Sequence, residues 1–116
     1  MYRQLRRSSE RFGKTISDIL NEHQLVLIRE IAERNGHEYN LSKASEEFQE
    51  LALALTQKLN KPTRVDDQEI IDEIGDAKIR IAILEMLFDK KSIQDRIDYK
   101  LSRYKEWNDH NTYKKI

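Results

Sequence analysis

The sequence predicts an all-α chain: an antiparallel bundle of about four helices, completed by oligomerisation. Three observations predict it. Only three glycines and one proline interrupt 116 residues. Apolar residues recur at i, i+3, i+4 and i+7, the helical period, rather than alternating. The breaks are few and sharp, at Asn35-Gly36, at Pro62 and at Asp89-Lys90-Lys91. The length fits one domain. With 38% hydrophobic and 36% charged residues, a lone chain has a thin core. Either the helices are long and narrow, or part of the apolar surface is buried in an oligomer, a homodimer or homotetramer.

The elements follow in order. Residues 1–14 carry Arg3, Arg6, Arg7, Arg11 and Lys14 against Glu10, and read as a basic, partly disordered arm. A helical domain is expected over 15–107. Its first helix is predicted over about 15–34, on Ile16, Ile19, Leu20, Leu27, Ile28 and Ile31, with His23 as a point of interruption. Asn35-Gly36 stops it, since both residues tolerate the left-handed conformation that ends helices. A second helix begins between Glu38 and Ser42 and runs to about Leu59. Its stripe is Leu41, Ala44, Phe48, Leu51, Leu55 and Leu59. Pro62 ends it, having no N–H to donate and restricting Lys61 as well.

Asp66 or Asp67 caps the third helix, and Asp66-x-x-Glu69 has the form of a capping box. Ile70, Ile71, Ile74, Ala77, Ile81, Leu84, Leu87 and Phe88 make this helix apolar over more than half its circumference. That places it at the centre of the bundle. Ser92-x-x-Asp95 opens a fourth helix to about Trp107. Ile93, Ile97, Leu101 and Tyr104 form its expected buried stripe, and Arg96, Lys100 and Arg103 a basic stripe beside it. Residues 108–116 are polar and expected to fray.

Composition also excludes classes. Without cysteine there is no disulfide framework and no thiolate metal site. No apolar run approaches the length of a membrane span. The basic N-terminus lacks the apolar stretch of a secretory signal, so a cytoplasmic protein and no membrane partner are expected. Lys plus Arg and Asp plus Glu stand at 21 each, which argues against a general nucleic-acid binder.

Four acids carry the functional signal: Glu47 and Glu50 on the second helix, Glu73 and Asp76 on the third. Three residues turn a helix by about 300°, so each pair shares a face. Ala44, Phe48, Leu51 and Leu55 flank the first pair; Ile70, Ala77, Ile81 and Leu84 flank the second. The acids therefore border the core face. Two like charges about 4 Å apart repel by about 1 kcal/mol in water and about 4 kcal/mol at an effective dielectric near 20. Four of them at a core edge raise one another's pKa unless a cation sits among them. All-oxygen ligands suit a hard ion, Mg²⁺ or Mn²⁺. Glu69-Ile70-Ile71-Asp72 offers a competing Glu-x-x-Asp pair. Glu73 and Asp76 are preferred, because Asp72 points about 100° away from Glu73 and Ile70, Ala77 and Leu84 frame Glu73.

Glu46-Glu47-x-x-Glu50, a gap, and Glu73-x-x-Asp76 together resemble the signature of the MazG-like all-α nucleoside triphosphate pyrophosphohydrolases. The likeness spans roughly residues 39–88. It implies Mg²⁺-dependent hydrolysis of a nucleoside triphosphate, in particular a deoxynucleoside triphosphate, to monophosphate and pyrophosphate. It also implies that Glu47, Glu50, Glu73 and Asp76 are the ligands and that Glu46 orients or deprotonates the attacking water. Cations for the substrate phosphates are then expected among Lys58, Arg80, Lys100 and Arg103. His23, Tyr39 and Phe12 are candidates to stack on the base. The alternative is a non-catalytic helical protein that binds a nucleotide or acts as an adaptor. A di-iron bundle is disfavoured, since no Glu-x-x-His pair accompanies these acids.

Overall fold

The computed structural model describes residues 19–110. Among them are four helices and no strand: α1 (Glu22–Arg34), α2 (His37–Asn60), α3 (Asp67–Leu87) and α4 (Lys90–His110). The basic arm expected over 1–14, Phe12 and residues 111–116 lie outside the described part. None of the four helices is long and apolar enough to cross a membrane.

Local chemistry sets the helix ends, and in places moves them from their expected positions. The first described helix starts at Glu22; the start expected near Thr15, with Ile16, lies outside the described residues. Asn21 accepts from the Gln24 N–H at 2.8 Å, and its own N–H donates to Gln24 Oε1 at 2.9 Å. This reciprocal box satisfies two otherwise free donors and begins the helix, so Ile19 and Leu20 precede it and His23 falls in its first turn. Asp66 caps α3 by accepting from the Glu69 N–H at 3.0 Å. Asp89, not Ser92, caps α4: its Oδ2 accepts from both the N–H and the hydroxyl of Ser92. That helix continues past Trp107 to His110, three residues into the segment expected to fray.

α3 packs against each of the other three helices, as its apolar girth requires, and α2 covers most of it. α2 and α3 run antiparallel: the rings of His37 and Phe88 meet edge-on at 5.3 Å at one end, and the Pro62 connection closes the other. Lys58 straps that connection, donating to Val65 O at 2.8 Å and Pro62 O at 3.2 Å. α1 joins α3 through Ile28, Ala32, Ala82 and the fully buried Ile83.

Asn40, also fully buried, ties α2 to the end of α1. Its Nδ2 donates to Asn35 O at 3.2 Å and, more weakly, to Ala32 O at 3.4 Å. These are carbonyls that a helix C-terminus leaves without intrahelical partners. Asn40→Ala is expected to cost about 1–3 kcal/mol, the penalty for stranding buried polar groups. Urea denaturation measures it, and an unchanged midpoint refutes this role.

α4 departs most from expectation. None of its residues is buried. Ile97 and Leu101 of its expected buried stripe are 50% and 57% exposed, and only Ile93 and Tyr104 are half-covered. Its amphipathic pattern is real, but the described chain supplies little to cover it.

Candidate metal centre

Two helices build the acidic site. Glu47 projects from the middle of α2, and Glu73 and Asp76 from the first half of α3. Because the hairpin is antiparallel, the three reach one point: one carboxylate oxygen from each lies within 4.8 Å of the others. Glu47 and Glu73 are half-buried and Asp76 is exposed, so the cluster opens to solvent on one side. Ala44 and Ala77, both buried, have side chains small enough to let the two helices approach closely beside it.

The electrostatics are those of crowded acids. Burial pushes the Glu47 carboxyl above its ordinary value, and the charges of Glu50 and Asp76 push it further. Burial raises Glu73 as well, followed by Glu50, Asp76 and Glu47. Glu50 itself is exposed and stands at the rim, close enough to act on both. One oxygen of Glu47 and one of Glu73 are shielded from solvent and accept no hydrogen bond. Buried acceptors normally find partners. Three converging carboxylates, two of which also carry a shielded oxygen without a partner, offer the all-oxygen donor set that a hard divalent cation takes, so the residues present suit Mg²⁺ or Mn²⁺.

A pH dependence follows. Both carboxyls are raised, so the folded chain holds protons that the unfolded chain releases above the ordinary glutamate value of 4.5. Their contribution to stability is full below that value and is lost as pH rises through the raised folded values. A cation needs the ionised forms and reverses the trend. Thermal unfolding in chelator is expected to show stability falling as pH rises above the ordinary glutamate value, with the gain from Mn²⁺ larger where both carboxyls are ionised than in acid. A gain independent of pH contradicts the assignment.

The other candidates are placed as follows. Glu46 is turned out of the cluster: Lys43 Nζ donates to its Oε1 at 2.6 Å and holds its carboxyl below the usual range. A carboxylate so paired is a weak base. Asp72, in the competing pair, accepts from Gln68 Nε2 at 2.8 Å, outside the three-acid group. Arg80, one turn beyond Asp76, is half-buried and near enough to Glu46 to lower it; its Nη1 is shielded and has no acceptor. Lys58 is engaged by Pro62, Val65 and Asp67, the last at 3.3 Å, and thus serves the connection. Lys100 lies over the Tyr104 ring, and Arg103 donates to the Tyr99 hydroxyl, both on α4. His23 and Tyr39 are exposed on the first turns of α1 and α2.

Lys43 was not singled out from the sequence, yet its charge acts on both Glu46 and Glu47. The Lys43-x-x-Glu46 spacing was its visible signal.

No family model matches this chain, and no curated protein or solved structure matches it.

Proposed function

We propose that this chain is a cytoplasmic, homo-oligomeric hydrolase that uses Mg²⁺ or Mn²⁺ to split a nucleoside triphosphate, in particular a deoxynucleoside triphosphate, into monophosphate and pyrophosphate. One observation carries the reading: Glu47, Glu73 and Asp76 bring carboxylate oxygens within 4.8 Å of one another, and shielded oxygens of Glu47 and Glu73 lack partners. The resemblance of Glu46-Glu47-x-x-Glu50 and Glu73-x-x-Asp76 to the MazG-like signature supports the reaction class. The exposed apolar surface of α4 and α1 supports the oligomer.

In this reading Glu47, Glu73 and Asp76 hold the cation, and Glu50 completes the set from the rim. A bound divalent ion supplies Lewis-acid polarisation of phosphoryl oxygens and lowers the pKa of water. The antiparallel hairpin fixes the acids before substrate arrives, so no reorganisation is needed at the reacting bond. Arg80, whose Nη1 has no acceptor, is the candidate to meet a phosphate oxygen. Lys100 and Arg103 act only if another chain brings them near.

The test is a product assay. Purified protein with Mg²⁺, then Mn²⁺, is given a panel of ribo-, deoxy- and modified nucleoside triphosphates. Monophosphate plus pyrophosphate, abolished by chelator, is the expected result. Diphosphate plus orthophosphate refutes the assigned bond. No turnover with either ion moves the site to cation or nucleotide binding without catalysis.

A further inference from the structure

Lys43, Glu46 and Arg80 stand together at one end of the acidic site. At about 100° per residue, Lys43, Glu46, Glu47 and Glu50 fall within one sector of about 100° on α2. On α3, Arg80 falls between Glu73 and Asp76 in the same projection. Both cations therefore lie on the helix faces that carry the acids. Lys43 is one turn before Glu47, and Arg80 is one turn after Asp76. Because the hairpin is antiparallel, these two steps lead to the same end of the cluster, about 6 Å along each helix from the nearest acid.

Glu46 occupies this end. Lys43 Nζ and Glu46 Oε1 are 2.6 Å apart. Lys43 lowers the Glu46 carboxyl first through this hydrogen bond and then through its charge, and Arg80 adds to the effect from α3. Lys43 also opposes the rise that burial imposes on Glu47, so its charge reaches the cluster. Arg80 is half-buried, and its Nη1 is shielded from solvent without an acceptor. An ammonium has three donors and a guanidinium five, more than one carboxylate takes up. Glu46 itself is exposed, and a surface ion pair contributes little to stability, so its carboxylate leaves Lys43 at low cost.

A triphosphate on a cation held by Glu47, Glu73 and Asp76 carries further anionic oxygens beyond that ion. Lys58 is committed to the Pro62 connection, which leaves Lys43 and Arg80 as the cations on the acid faces at this end. We propose that Lys43 and Arg80 form a seat for the pyrophosphoryl end of a metal-bound triphosphate, and that Glu46 is a stand-in anion that fills the seat until the phosphates displace it. This role of Glu46 rests on the proposed hydrolase reading and replaces that of a water-activating base. A phosphate group brings more charge and more acceptor oxygens than a carboxylate, so the exchange favours substrate. Glu46 returning to Lys43 then competes with bound pyrophosphate and helps it leave.

The experiment is titration calorimetry of inorganic pyrophosphate into the full chain at saturating Mg²⁺. Wild type is compared with Glu46→Gln, Lys43→Met, the double variant and Asp72→Asn. Glu46→Gln is expected to bind pyrophosphate about tenfold tighter and Lys43→Met about tenfold weaker. On the Lys43→Met background the glutamine should gain under about threefold, since no ammonium is left to release. Asp72→Asn removes an equal charge from the hairpin without freeing a cation, and should change little. Three results overturn the seat: Glu46→Gln binding no tighter than wild type, a gain that persists in full without Lys43, or an equal gain from Asp72→Asn. Nucleotide turnover, measured on the same proteins, separates the two readings. Pyrophosphate affinities in the expected order with no turnover in wild type sink the hydrolase and leave the anion seat standing. An active wild type with a dead Glu46→Gln of unchanged pyrophosphate affinity makes Glu46 the base, which overturns the stand-in and keeps the hydrolase.

Discussion

Glu73→Gln is expected to abolish cation-dependent turnover while raising the melting temperature of the cation-free protein. The amide keeps the shape of the side chain but removes one of the crowded charges. Glu73 is held above its ordinary value first by burial and then by Glu50, Asp76 and Glu47, so its ionised form is unfavourable in the fold. Its neutral isostere relieves that at neutral pH. The same change removes one carboxylate from the three-acid group, and under the proposed function a loss of about a hundredfold or more in rate is expected. Melting in chelator and in excess Mn²⁺ separates the two effects: the variant should gain in the first and lose most of the cation-induced rise in the second. A lower melting temperature in chelator shows that Glu73 instead serves the fold. Protein sites that trade stability for activity in this way are common where like charges converge.

The second large effect is expected at Ile83→Ala. Ile83 is fully buried and joins α3 to Ile28 and Ala32 of α1. Removing its outer atoms leaves a cavity where two alanines already make the packing thin. Such truncations cost about 2–5 kcal/mol. For a small domain with about 5–15 kcal/mol in all, that is a large share. The melting temperature should fall by about 15 °C, given about 4–8 °C per kcal/mol at this size. A change of under about 1 kcal/mol in urea contradicts the view that this contact anchors α1.

The periodic apolar pattern located all four helices, and the apolar girth of the third placed it centrally. Helix starts were less legible. Ile19 and Leu20 extend the period of α1 backward, but Asn21 and Gln24 form a box that begins it later; a local hydrogen-bond pair outweighs a continuing pattern. Asp89 likewise preempts Ser92 as the cap of α4, because its carboxylate reaches both donors of that serine. The stripe of α4 shows the limit of periodicity: a pattern says that a face is apolar, not that its own chain covers it.

Glu47, Glu73 and Asp76 converge because i, i+3 spacing fixes direction on a rigid helix, whereas Glu50, read from the same spacing, stays outside the three-acid group. Cations are harder, since a lysine stem is long and flexible. Lys58 spans to the carbonyls of its own connection, which no spacing rule foretells. Asn40 was invisible for a similar reason: its partners are backbone carbonyls of Ala32 and Asn35, set by how α1 ends.

The α2–α3 hairpin has a consequence in time. All four acids lie between residues 47 and 76, on two neighbouring helices joined by the connection that Lys58 straps. Contacts so near in sequence close quickly, and folding rate rises as contacts become more local. The hairpin should thus be the early-structured part of the transition state, with the acid cluster drawn together before α1 docks through Ile83. Mutational effects on folding rate then divide by helix: Ala44 and Ala77 slow folding when enlarged, whereas Ile28 and Ala32 act on unfolding. Equal effects on both rates from all four positions speak against this order. The charge repulsion of the site is then met at the start of folding, so a cation held there, as proposed, is expected to speed the first step as well as stabilise the folded state.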